Sequence, residues 1–327
     1  MDTNDQEMIA IPIKDFIASS KLQVDIFIKM PSGRYVQVAK AGEAVAVDRL
    51  LKYESKKVDH LYVRRKDYSS YVDTNLVIAG VTVTRKDLDE RSKSDFVAQV
   101  STAVSLEIEE LGLDRDVFIH ARMITRVAID LIETKVPLRT MLEALNASSN
   151  EAFAHSMGVS LTAVMLGQAL GWTQQVTQEK LALGGLLHDI GVKELSRDLL
   201  GKAIGEMTFE ERQLFEQHPA KGAEMLKGIE GLPDDVIAIV YEHHENAIGQ
   251  GFPRRLKTIR IHPLARVVGL ADIFCDLTIK SPSSRRIRPL SEAYAYIEKT
   301  YGQAYPRDLM SALQTTLIPS KPTKKSA

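Results

Sequence analysis

Residues 177–191 read TQEKLALGGLLHDIG, and their spacing decides the fold. Leu181, Gly184, Gly185 and His188 recur at three or four residues, so an amphipathic helix places His188 among its core-facing positions. Asp189 follows at once and Gly191 closes the run. A second stretch, PDDVIAIVYEHHE over 233–245, aligns Val236, Ile239, Val240 and His243 on one face. In HPLARVVGLADIFCDL, residues 262–277, the stripe is Leu264, Val268, Ala271, Asp272 and Cys275, so a carboxylate looks inward. His218 follows Leu214 by four and is expected on the inner side of a further helix.

An ionised carboxylate removed from water is costly unless it is paired. Several helices, each presenting an imidazole or carboxylate inward, meet that cost together if they converge on a cation. Imidazoles and carboxylates without a thiolate suit iron, manganese or another first-row ion. In the adjacent pair His188-Asp189 the imidazole binds one ion, while the carboxylate has two oxygens and can bridge two. The doublet His243-His244 likewise serves a site whose ligands reach different ions or faces.

Outward from this region, the remainder is ordinary for a globular chain. The 327 residues are 44% hydrophobic and 26% charged, which suggests more than one domain. A formal charge of -1 provides no global field for a nucleic-acid polymer or an anionic membrane. No apolar run is long enough to span a bilayer, no signal peptide is read, and the lone thiol, Cys275, fits a reducing cytoplasm.

Residues 1–10 are polar and expected to fray. Val24, Ile26, Ile28 and Met30 alternate as in a half-buried strand, a turn at Pro31-Ser32-Gly33-Arg34 follows, and Tyr35 to Val38 returns. VAVDRLLKYESKK has helical spacing and HLYVRR reads as a strand, so 1–75 is expected to be a small α+β regulatory domain. Over 76–147, Phe96, Val100, Val104, Ile108 and Leu111, then Val117, Ile124, Val127 and Leu131, indicate helices. These form either a connector packed on the next domain or a stalk for a homodimer. Residues 148–316 read as a helical metal-binding domain, with capping boxes at Ser148-x-x-Glu151 and Thr208-x-x-Glu211, and 317–327 as a disordered basic tail. His60, His120 and His262 lack evident inward partners and are expected in loops or on the surface.

The ordered set His188-Asp189-Ile190-Gly191, His218-Pro219, His243-His244-Glu245, Gly249-Gln250-Gly251-Phe252-Pro253 and Ala271-Asp272 resembles the HD-GYP family, bacterial phosphodiesterases that act on cyclic di-GMP. The resemblance covers about 148 to 285. It implies an all-helical bundle of the HD superfamily, so the fold class is mainly α with a small N-terminal α+β domain. It also implies metal ligands at His188, Asp189, His218, His243, His244 and Asp272, with Asp189 bridging two ions and holding the nucleophilic hydroxide. Glu151 and His155 match positions that complete a third metal site in some members. Proteins with GGDEF domains are the partners it implies.

The chain departs from the family at positions facing the substrate. Phe252 replaces the Tyr of the name motif, Asn246 an Arg, Ile248 an Asp and Val192 a Lys, with Lys193 one place later. Ser281 replaces an Arg, with Lys280, Arg285 and Arg286 nearby as candidate phosphate-binding residues. The expected activity is hydrolysis of cyclic di-GMP. The alternative is a receptor or scaffold that keeps the metal site and binds a nucleotide or a GGDEF-type partner.

Overall fold

A computed structural model of the chain describes residues 7–17, 22–43, 53, 58–148, 150–200, 202, 204–257, 260–281 and 286–317. The chain divides into two compact units, Met1–Val127 and Ala128–Ala327.

The first unit begins with a four-stranded antiparallel sheet. Its strands are β1 (Met8–Pro12), β2 (Ile26–Lys29), β3 (Tyr35–Ala39) and β4 (His60–Arg64), in the order β1-β4-β2-β3. The hairpin read from the alternation is present, with Met30 N–H donating to Arg34 O at 2.9 Å across the turn. The expected fraying of 1–10 is corrected: Met8 to Pro12 pair with Arg64 to His60, and Met8, Ile9 and Ile11 are buried. A strand of five residues flanked by polar chain offers too few alternations to stand out. The helical spacing over 45–57 falls almost wholly outside the described residues, as does the tail beyond Leu317.

Helix α1 (Tyr68–Thr84) runs past residue 75, and α2 (Glu90–Leu111) and α3 (Arg115–Glu133) follow. Tyr71 fastens α1 to the chain after β1: its hydroxyl accepts the Ile17 N–H at 2.9 Å, and its ring stacks on Phe16. Asp89 caps α2 by accepting from Ser92 N, and Gly112 ends it at φ 85°.

The second unit is helical. After α4 (Leu138–Leu145), α5 (Glu151–Ala169) is buried on nearly every side, as expected for a helix apolar all round. Around it pack α6 (Gln175–Leu187), α10 (Pro263–Thr278) and α12 (Arg307–Leu317). The elements α7 (Phe209–Phe215), α8 (His218–Leu226), α9 (Asp234–Glu242) and α11 (Leu290–Tyr301) also belong to it. Thr208 and Glu211 form the expected capping box. The box expected at Ser148 is corrected: Asn150 is the N-cap of α5 and accepts from Phe153 N at 3.1 Å, while Ser148 Oγ accepts from Asn150 N at 3.2 Å.

Candidate metal centre

The chain positions its inward imidazoles at helix ends. His188 caps the C-terminus of α6, His243 caps that of α9, and His218 opens α8 ahead of Pro219. The reason given for His218 needs correction. Leu214 is 50% exposed and belongs to α7, so His218 points inward because a new helix starts there.

Three of these rings are locked in the same way. His188 Nδ1 donates to Gly185 O at 2.7 Å, His218 Nδ1 to Phe215 O at 2.8 Å and His243 Nδ1 to Val240 O at 2.8 Å. A carbonyl only accepts, so Nδ1 carries a proton in each ring and each Nε2 points toward the interior, where the neutral ring presents its lone pair. This is the arrangement that metal-ligating histidines use.

Asp189 lies among them. Its Oδ2 is 3.3 Å from His188 Nε2, and its Oδ1 is 3.1 Å from His218 Nε2 and 3.6 Å from His243 Nε2. Asp272, inside α10, has Oδ1 at 3.0 Å from His155 Nε2 and 3.6 Å from His188 Nε2, and Oδ2 at 3.8 Å from His244 Nδ1.

Gly191 makes the approach of His188-Asp189 to α8 feasible. A Cβ there would stand 2.1 Å from His218 O and 2.4 Å from Gly222 N, so only glycine lets the two backbones meet.

The electrostatics ask for a cation. His218 Nε2 and His243 Nε2 face each other at 3.4 Å, and His188 Nε2 is buried without a hydrogen bond. Burial alone would raise Asp189, yet His188, His218 and His243 hold it well below the usual carboxylate range. Burial would likewise raise Asp272, but His155 and His188 hold it well below that range. Burial pushes His243 down, and it pushes His244 far down with help from His243 and His218, leaving both neutral, the form that binds a metal. His188 is raised despite its burial because Asp189 and Asp272 draw positive charge to it.

Among the described residues, four groups bring ligand atoms within 4.8 Å of one another: Asp189, His218, His243 and His244; His155, His188 and Asp189; His188, His243 and Asp272; and His155, Asp272 and Asp276. All six residues expected as ligands are therefore brought together, and His155 joins them. Glu151 is in none of the groups, and the acid beside His155 Nδ1 is Asp276, at 3.7 Å. The sequence reading passed over Asp276, although it lies one turn beyond Asp272 on α10.

The turn after the histidine doublet folds back on them. Glu245, 1% exposed, accepts the N–H groups of Arg254 and Leu256 at 2.6 and 2.7 Å. A Cβ on Gly251 would lie 2.3 Å from His244 O, so the glycine permits that return. Gly249 takes φ 76°, and Phe252 precedes Pro253 through a cis peptide bond. Lys193, Lys280 and Arg286 are exposed, whereas Arg285 lies outside the described residues.

The profile of the HD domain matches residues 126–309, more than half of the chain. The chain belongs to the HD-domain family. The chain is 31% identical over 141 residues to a cyclic di-GMP phosphodiesterase of Pseudomonas aeruginosa, covering 43% of this chain and 34% of that protein. It is 30% identical over 142 residues to 3'3'-cGAMP-specific phosphodiesterase 1 of Vibrio cholerae, covering 43% and 32%. It is 29% identical over 177 residues to a cyclic di-GMP phosphodiesterase of Thermotoga maritima, covering 53% and 47%. The chain thus matches less than half of the length of each of these relatives. The fold is similar to that of an HDG"Y"P protein from Bdellovibrio bacteriovorus, with a TM-score of 0.71, 20% identity and coverage of 95% of this chain and 99% of that one. The HD-GYP resemblance and the mainly helical fold class are borne out. No helix among the described residues is long and apolar enough to cross a membrane.

Proposed function

We propose that the chain is a metal-dependent phosphodiesterase of the cytoplasm that opens a cyclic dinucleotide, with cyclic di-GMP as the expected substrate. The observation that carries this reading is the meeting of His188, His218 and His243 Nε2 around Asp189, with each outer nitrogen tied to a carbonyl. The names of the relatives support the substrate class.

The metal ligands are His188, Asp189, His218, His243, His244 and Asp272, taking two first-row ions, iron or manganese. His155 with Asp272 and Asp276 would hold a third. A bound divalent ion supplies Lewis-acid polarisation of a phosphoryl group and acidification of water. The protein's part is orientation. Gly185, Phe215 and Val240 carbonyls hold the imidazoles, and Asp189 offers one oxygen toward His188 and the other toward His218 and His243. Phe215 and Phe252 stand beside His218 and His244 as an apolar wall.

One set of observations favours a receptor or scaffold. Ser281, where the family resemblance expects an arginine, is 5% exposed, and Ile248 at the turn is 46% exposed. A site short of substrate-binding cations would retain phosphate affinity with little turnover, and an exposed Ile248 rim would suit a partner such as a GGDEF-domain protein.

The test is metal quantitation coupled to hydrolysis of cyclic di-GMP and 3'3'-cGAMP on one preparation. The expected result is about two ions per chain and turnover abolished by chelation, with Asp189→Ala losing both. Metal-replete protein that binds either nucleotide without hydrolysing it would establish the receptor instead.

A further inference from the structure

Helix α1 is apolar on both sides. Its inner side buries Tyr68, Tyr71, Val72, Leu76, Ala79 and Val83, and the helix packs on α2. On its outer side Val77 and Val81, one turn apart, are 57% and 61% exposed, with Ile78 half-buried beside them. Asp73 is the one charged residue among the 17 of this helix. The water-facing side of a helix ordinarily carries charge, and a helix apolar all round is ordinarily covered. At Gly80 a Cβ would meet no atom within 4 Å, so another helix can come close to the backbone between the two valines.

The two ends of this stripe carry opposite charge. Asp73 precedes Val77 by four residues, and Arg85, the C-cap, follows Val81 by four. At the Asp73 end lies a cleft of about 550 Å³, lined in part by Ser70, Asp73, Thr74, Asp116 and Ile119. Ile119, on α3, is 46% exposed and extends the apolar surface. The same cleft reaches His120, which is only 8% exposed, contrary to the surface or loop position expected for it. Its Nδ1–H is accepted by the buried Glu107 at 2.8 Å, so three carboxylates surround this end and one imidazole answers them. At the other end Arg85 and Lys86 are both exposed. Arg85 pairs with Asp87, which is exposed as well, and an ion pair in water contributes so little that Arg85 can exchange partners.

We propose that this face is an interface with a second copy of the chain, in which two α1 helices pack antiparallel about a two-fold axis beside Ala79. Ala79 is the midpoint between Val77 and Val81 and also between Asp73 and Arg85. One rotation therefore lays Val77 on the partner's Val81 and sets Asp73, with its acidic cleft, against the partner's Arg85, twice over. A two-fold contact needs a surface complementary to itself, and the charge order of this stripe meets that condition. A parallel pair would oppose Asp73 to Asp73. One helix pair stands at the small end of interface sizes, so association in the micromolar range is expected.

Sedimentation velocity on the full chain from about 1 to 100 μM should show reversible dimerisation. Val77→Glu/Val81→Glu should abolish it. Asp73→Arg and Arg85→Asp should each weaken it by about tenfold or more, because each sets like charges opposite one another. Carrying both reversals in one chain, or mixing the two single variants, should restore association. All of these positions are exposed, so circular dichroism and bound metal should stay as in wild type. A chain that is monomeric across the range, or a dimer indifferent to the valine pair and to both reversals, would overturn the proposal. So would single reversals that weaken a dimer which the double reversal does not recover, since Asp73 and Arg85 would then not face each other.

Discussion

The Phe252 ring lies over the His244 imidazole, with centroids 4.4 Å apart and planes tilted by 34°. Phe252 also meets Phe215 at 6.3 Å and His218 at 6.0 Å, so one half-buried ring touches two of the expected ligands. These contacts need a ring and make no use of a hydroxyl. Phe252→Tyr should leave metal content and melting temperature unchanged. Phe252→Ala should cost about 1–2 kcal/mol, because full burial of such a side chain contributes about 1.5–3 kcal/mol. It should also lower cyclic dinucleotide turnover by freeing His244. Thermal denaturation and the hydrolysis assay check both variants.

Gly191 faces backbone atoms, which cannot swing aside as a side chain would. Gly191→Ala should therefore separate Asp189 from His218, destabilise the HD domain by about 1–3 kcal/mol and reduce bound metal. Denaturant unfolding with elemental analysis reads both effects. Unchanged metal content would show that the close approach does not position Asp189.

Glu245 follows the histidine doublet yet is turned away from the metal-binding groups toward the backbone of its own loop. Glu245→Gln would set an amide NH₂ against one of two N–H donors. Hydrogen bonds to a charged group contribute about 1.5–3 kcal/mol, and a loss of that order is expected. Amide exchange should speed up at Arg254 and Leu256 while the HD-domain core helices stay protected.

The Glu107–His120 pair gives a pH signature. Burial lowers His120, but Glu107, Asp73 and Asp116 together hold it above the usual histidine value. A raised folded value means the stabilisation is full below the unfolded value of about 6.5 and is lost as pH rises through the folded one. Wild type should lose stability on going from pH 6 to pH 8, and Glu107→Gln should flatten that slope. Denaturant midpoints across this range measure it.

Legibility followed continuity of the helix. His188, His243 and Asp272 were readable because each lies on or at the end of an unbroken apolar face, and the structure buries all three. His218 was inward for a reason the spacing could not reveal, a helix break at Glu216 and Gln217. Glu107 was passed over and His120, 8% exposed, was wrongly expected on the surface or in a loop, because the two sit on different helices, 13 residues apart, and each alone looks like an ordinary polar position. Lone residues of this kind acquire meaning only when tertiary packing joins them. Ser148 had the right partner spacing for a cap, but Asn150 lies next to the first turn and takes its N–H. Asp276 was hidden by its mostly exposed position, 55% by side chain, which a burial pattern does not flag.

The centre around Asp189 draws on residues from His155 to Asp272, so no short piece of nascent chain contains it. These side chains meet only through the packing of α5, α6, α8, α9 and α10, so damage to any one of those helices is felt at the whole cluster.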